Sequence, residues 1–307
     1  MTVTRSLDDL SLRRVVFVHA HPDDESLWTG VVTAHLVAQG AEAHVVTCTL
    51  GEEGEVIPPD LRHLEGDGPA LAAHRRGELA GATRVLGATS HVLSAGSEGW
   101  PGLQGAAGSE GGGGPGARWR DSGMAGTPAA GHPDAFASAG GAAVEALADL
   151  LRELRPDGVI TYDPHGGYEH PDHVAAHRAT LAAVASLAVR GDLEAPPHVL
   201  QVVVPRSWAT EDRAWLAEHV HRTDVVVPGP DDPYPPSVVP DDLVTHVVVD
   251  PAAARVQASA LREHPTQVTV HDGYYALSND IATRLAGREA FVLVDPPAVT
   301  STGGPDE

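Results

Sequence analysis

The sequence contains no lysine and a single cysteine, and only 4% of its 307 residues are aromatic. Without lysine, its basic complement is 20 arginines against 42 acidic residues, and the formal net charge is -22. Acids spread along the whole chain repel nucleic acid and anionic membrane surfaces. A nucleic-acid partner is excluded on that ground. The one cysteine, Cys48, sits in the apolar run Val45-Val46-Thr47-Cys48-Thr49-Leu50, so no internal disulfide can form. Any metal site must then use histidine and carboxylate ligands. The N-terminus lacks a basic segment followed by an apolar one, and no run approaches the roughly 18 apolar residues of a membrane span. These absences predict a cytoplasmic protein with no membrane partner.

What is present is enough for a folded core, since 42% of the residues are hydrophobic. Arg14 to Ala20 reads as a strand, and Leu27 to Gln39 as a helix closed by Gly40. The unit repeats, with strands at Ala43 to Leu50, His91 to Leu93 and Gly158 to Tyr162 and helices at Pro69 to Gly87 and Ala135 to Leu154. Continuous apolar strands alternating with amphipathic helices predict an α/β fold, a Rossmann-like, mostly parallel sheet with helices on both faces. After about Pro196 the pattern turns β-rich, at Val199 to Val204, Asp224 to Val227 and Thr245 to Val249, with helices near Arg213 to His219 and Ala252 to His264. The expected organisation is one domain over residues 1–307, with a core at about 12–190, C-terminal elements at about 196–297 and a flexible Gly-rich insert at 95–117. Gly111 to Gly116 in that insert satisfies G-x-G-x-x-G, but it does not follow directly on a strand and contains Pro115, which argues against a dinucleotide turn. Ser97 and Ser109 have alanine where a nucleophile elbow needs its first glycine, which disfavours a serine hydrolase.

Two polar clusters carry the chemistry. His19-Ala20-His21-Pro22-Asp23-Asp24-Glu25 stands where the first strand ends and its helix begins. Three acids and two histidines so close together would repel and desolvate one another unless a cation held them. The alternative is an N-cap, with Asp23 or Asp24 accepting from the first amides of the helix. The second cluster, Tyr162 to His173, follows the later strand and leads into a helix at Val174 to Leu187. In open α/β sheets, ligands bind at the carboxyl ends of the strands, where both clusters lie. A catalytic zinc needs three protein ligands and an open position. One histidine and one carboxylate from the first cluster with one histidine from the second meet that need, leaving a second carboxylate free to take a proton.

Ala20-His21-Pro22-Asp23-Asp24-Glu25 together with Gly167-Tyr168-Glu169-His170-Pro171-Asp172-His173 resembles the LmbE-like (PIG-L type) zinc N-deacetylases. Further likeness at Thr47 to Ile57, Arg75 to Leu79, Arg120 to Thr127 and His264 to Val268 is greatest to the branch that acts on N-acetylglucosaminyl-inositol in mycothiol biosynthesis. The resemblance implies His21, Asp24 and His173 as ligands of one zinc per subunit, with Asp23 as general base. It implies His170 as general acid or oxyanion partner, oriented by Asp172, and Tyr168 as a polariser of the acetyl carbonyl. Arg75 and Asp121, and more weakly Glu55 and Met124, are implied substrate contacts. For Arg75 the alternative is a surface ion pair with Glu78. His165 and His177 receive no catalytic role and are expected to be structural or solvent-facing. The implied partner is a small amino-sugar conjugate. Fe(II) accepts the same ligands as zinc. The rival readings are a mycothiol S-conjugate amidase with the same metal site, and a non-catalytic zinc-stabilised carbohydrate-binding protein.

Overall fold

The computed structural model describes residues 4–93 and 117–294, so the Gly-rich stretch with Ser97, Ser109 and Gly111 to Gly116 lies outside the described residues. In chain order the elements are β1 (Arg5–Ser6), β2 (Arg14–His19), α1 (Asp24–Ala38), β3 (Glu42–Thr47), α2 (Gly68–Leu86) and β4 (Thr89–Val92). Next come α3 (Gly141–Leu154), β5 (Gly158–Tyr162), α4 (Gly166–Glu169), α5 (Pro171–Arg190), β6 (His198–Pro205) and α6 (Arg206–His219). The last are β7 (Val238–Val239), β8 (His246–Val249), α7 (Pro251–Leu261), β9 (Thr269–Val270), β10 (Tyr274–Ala276), β11 (Ala282–Arg284) and β12 (Arg288–Val294).

Alternation along β2 divides the core into two layers. Val16 and Val18 pack with Val46 and Val159 against Leu147, Leu151, Ala176 and Ala183 of α3 and α5. Val15 and Phe17 pack with Val45 and Ile160 against Val32, Leu36, Leu86 and Ala260 of α1, α2 and α7. Successive side chains of a strand point to opposite faces, so a strand apolar at every position must be covered on both. Each fully buried leucine or phenylalanine contributes about 1.5–3 kcal/mol to that burial.

The main sheet runs β1-β8-β12-β6-β5-β2-β3-β4, with β7 also paired to β6, and β11-β10-β9 form a separate small sheet. From β6 to β4 the neighbours are parallel. The expected β-rich C-terminal part joins this same sheet, because β12 runs antiparallel between β6 and β8. The chain order reverses between β2 and β5, which opens a crevice at their carboxyl ends. Among the described residues, no helix is long and apolar enough to cross a membrane.

Local chemistry sets the helix ends. Asp67 accepts from the Ala70 amide at the start of α2, and Gly87 closes it at a φ of 74°. Two expectations differ from the fold. The helix expected from Ala135 starts at Gly141, because Phe136–Ser138 form a tight turn and Gly140 takes a φ of 49°. Asp224 to Val227 form no strand, and Val226 makes only an isolated bridge to Ile281.

Candidate metal centre and active site

Beyond the end of β2 the chain turns through residues 20–23 into α1, and beyond β5 it passes through α4 into α5. The two clusters therefore meet across the crevice. Three ligand-type atoms form a nearly equilateral triangle. His21 Nδ1 lies 3.3 Å from Asp24 Oδ2, His173 Nε2 lies 3.3 Å from the same oxygen, and the two nitrogens are 3.2 Å apart. Tetrahedral coordination at about 2.0–2.1 Å places ligand atoms about 3.3 Å apart, so the triangle has the size of one zinc face. The donors are set from behind. His173 Nδ1 donates to the Gly166 carbonyl over 3.1 Å, which turns Nε2 toward the triangle. Asp24 Oδ2 accepts from the His21 amide at 2.9 Å and from the Tyr162 hydroxyl at 2.7 Å. Tyr162 also stacks on His173, with ring centroids 4.2 Å apart.

The other nitrogen of His21 faces acids. Its Nε2 is 3.3 Å from Asp172 Oδ2 and 3.4 Å from Asp121 Oδ1. Burial opposes a charge on His21, but Asp121, Asp172 and Asp24 together raise it well above the ordinary imidazole range. Burial likewise opposes the Asp24 carboxylate, which His173 and His21 nonetheless hold well below its usual range. His21 with His170 and His173, and His21 with Asp121 and Asp172, are also close enough to share an ion. Such a density of buried donors is chemistry suited to a divalent cation.

Asp172 is fixed by Ser122, whose amide donates to Oδ2 at 2.8 Å and whose hydroxyl donates to Oδ1. The contact from Asp172 to His170 runs through the main chain, its N–H donating to His170 Nδ1 at 3.2 Å. That bond leaves the proton of a neutral His170 on Nε2. Burial and the charges of His21 and His173 push His170 down to about 3.

Asp23 stands beside the triangle at a φ of 117°, a strained value for a residue with a side chain. Its carboxylate makes no cap bond to α1, which removes the N-cap alternative for it. Burial and the adjacent Asp24 hold the Asp23 carboxyl well above the usual range. The strained turn is propped from several sides. Glu25 accepts from the Asp23 amide at 3.0 Å and from His264 Nε2 at 2.8 Å, and Gln267 donates to the Pro22 carbonyl at 2.5 Å.

Tyr168 is 44% exposed, and its ring lies parallel to Trp28 at 6.5 Å and edge-on to His173 at 5.1 Å. A glycine is required just before it, since a Cβ on Gly167, at a φ of 78°, would come within 2.5 Å of Trp28. Arg75 is buried and donates to the carbonyls of Gly51 and of Glu55, the latter at 2.8 Å, so it clips the 51–55 loop and is not a surface ion pair. Glu55 lines a cavity of about 450 Å³ with Arg62 and Asp280, and Met124 is 49% exposed. His165 faces solvent, whereas buried His177 donates to the Tyr162 carbonyl at 2.9 Å. Ser122 and Trp28 escape the sequence reading as site residues, and Tyr162, though it opens the second cluster, receives no role there. Ser122 lies within the Arg120 to Thr127 likeness, which is the one signal that could have found it.

The PIG-L family model, described as GlcNAc-PI de-N-acetylase, matches residues 16–184. A 1D-myo-inositol 2-acetamido-2-deoxy-alpha-D-glucopyranoside deacetylase of Thermomonospora curvata is 41% identical, covering 93% of this chain and 91% of its own. A protein of the same name from Saccharomonospora viridis is 43% identical, over 92% of this chain and 96% of its own. Among solved structures, the N,N'-diacetylchitobiose deacetylase of Pyrococcus horikoshii shares the fold, with a TM-score of 0.53 and 19% identity over 87% of this chain and 74% of that one. With the family motif spanning the crevice and this likeness running through most of the sequence, the chain belongs to the PIG-L family of de-N-acetylases.

Proposed function

We propose that the protein hydrolyses the N-acetyl group of N-acetylglucosaminyl-inositol, releasing acetate and glucosaminyl-inositol, with zinc held by His21, Asp24 and His173. The observation that carries the reading is the triangle of His21 Nδ1, Asp24 Oδ2 and His173 Nε2 with the uncommitted carboxylate of Asp23 beside it. The relatives' shared name supports the substrate. Fe(II) fits the same donors.

A divalent ion seated there supplies Lewis acidity toward the acetyl carbonyl and toward water. Asp23, whose carboxylate makes no cap bond to α1, takes the proton of the attacking water. His170 Nε2–H, oriented by the Asp172 amide, donates to the carbonyl oxygen as it gains charge, and the Tyr168 hydroxyl donates from the exposed side. Of its two implied roles, that of oxyanion partner is the one its geometry suits, because Nδ1 already accepts from the Asp172 amide and Nε2 carries the proton. The proton collected by Asp23 passes to the leaving amine as the carbon–nitrogen bond breaks. Arg75 holds the Gly51 to Glu55 loop, which we assign with the exposed Met124 to the sugar side, whereas Asp121 is buried against His21 Nε2.

The test is acetate release from N-acetylglucosaminyl-inositol by zinc-reconstituted protein, against N-acetylglucosamine and a chelator-treated control. Zinc-dependent release that strongly prefers the inositol conjugate is expected. Absence of release, with cleavage of a mycothiol conjugate instead, would overturn the substrate assignment and leave the metal site standing.

A further inference from the structure

Helix α1 is broken in its middle, where Thr29 takes φ -136° and ψ 17° inside the helix. A break frees the amides that follow it and the carbonyls that precede it. Side chains from two other elements, together with Thr29 itself, meet those groups. Glu289 of β12 accepts from the Val31 amide at 2.8 Å with one carboxylate oxygen and from the Val32 amide at 2.9 Å with the other. Gln257 of α7 donates to the Ser26 carbonyl at 3.0 Å. Thr29 donates to the Glu25 carbonyl at 3.1 Å, and its hydroxyl lies 2.8 Å from His19 Nε2 at the end of β2. Glycine at position 30 completes the fit, because a Cβ there would come within 2.7 Å of Gln257 Cγ.

The segment ahead of the break, Asp24 to Trp28, is too short to hold a helical direction by itself. It nevertheless carries Asp24, then Glu25 with its bond to His264, then Trp28 against Tyr162, Tyr168 and His173. Its orientation comes from tertiary bonds. Glu289 and Gln257 make theirs at the break itself, and although burial raises the Glu289 carboxyl to about 8, its two oxygens each fill one freed amide.

We propose that Glu289 and Gln257 are positioning residues which splint the break in α1 and so fix the Asp23-Asp24 turn for metal binding and proton transfer. The proposal rests on the ligand set assigned above. Neither residue touches substrate or the reacting atoms.

The experiment compares full-length wild type with Glu289→Gln, Glu289→Ala and Gly30→Ala. Zn²⁺ affinity is measured by competition with a chromophoric chelator, the melting temperature in excess chelator, and kcat and KM at saturating zinc. Glu289→Gln keeps one acceptor oxygen and is expected to weaken zinc about tenfold, and Glu289→Ala further. At saturating zinc kcat is expected to fall while KM stays within about twofold, since the displaced turn carries the base and not the sugar contacts. Unchanged zinc affinity and kcat beside a lowered melting temperature would show that the splint serves only the fold and would overturn the proposal. Wild type that binds no zinc would sink the ligand assignment as well, a distinguishable result. Should Glu289→Ala not fold, Gly30→Ala carries the test, because it displaces Gln257 and leaves Glu289 in place.

Discussion

The two halves of the site are built differently. The turn after β2 is held by contacts from distant parts of the chain, with Glu25 on His264, Pro22 under Gln267 and Asp24 under Tyr162. The stretch after β5 has outside anchors too, with Ser122 on Asp172 and Ser237 on the Gly167 carbonyl, but the turn before Tyr168 is set by its own bonds. Asp163 accepts from the amides of His165 and Gly167, His173 donates to Gly166, and Tyr168 stays exposed. The difference separates two demands. The proposed ligands come from both halves, but the strained proposed base needs a frame that over-determines it, whereas Tyr168, the ring proposed to meet substrate, needs access.

Substitutions can break this contrast. The largest effect is expected at Asp23, where Asp23→Asn should lower kcat by about 10²–10⁴ with zinc still bound, checked by turnover beside metal analysis. Full activity in that variant would remove Asp23 from the chemistry. Tyr168→Phe should lower kcat by about 10² or somewhat more, with zinc affinity and melting temperature unchanged, as expected of one oxyanion donor on the exposed half. His264→Ala tests the propped half. It leaves Glu25 buried without its cation and should cost about 3–5 kcal/mol of stability in denaturant unfolding. A cost as small for His264→Ala as for Tyr168→Phe would erase the contrast.

The smallest effect is expected away from the site. His35 bridges Asp250 at 2.9 Å and Asp8 at 3.0 Å, and although burial opposes its charge, these acids raise it above the ordinary imidazole range. Its contribution is therefore fully present below about pH 6.5 and is lost as pH rises through the raised folded value. His35→Gln should be less stable than wild type by under about 1 kcal/mol at pH 6, because the partly exposed acids are screened. The gap should close in mildly alkaline solution, as read from melting curves across pH.

Both clusters were legible in the sequence because strand-end position and residue type are local properties. The parallel core was legible for the same reason, through the apolar runs of β2, β3 and β5. What stayed hidden depends on pairing across long separations. Nothing near Ser122 announces that it anchors Asp172, and nothing near Glu289 announces the Val31 and Val32 amides. Arg75 reads in sequence as a substrate contact, with a surface ion pair to Glu78 as the alternative, but it is buried and turned toward the loop carbonyls. Asp224 to Val227 has strand composition, yet its one bridge to Ile281 offers no ladder to extend.

The placement of β12 bears on how the protein is made. It is the last strand of the described residues, and it enters the main sheet between β6 and β8. During translation, β6 and β8 leave the ribosome with facing edges open, and they stay open until the chain has grown past Val294. Glu289 arrives on the same strand, so the splint of α1 cannot close until then. A nascent chain halted before β12 would have all the proposed zinc ligands and an unsealed sheet, a ready target for chaperones and proteases.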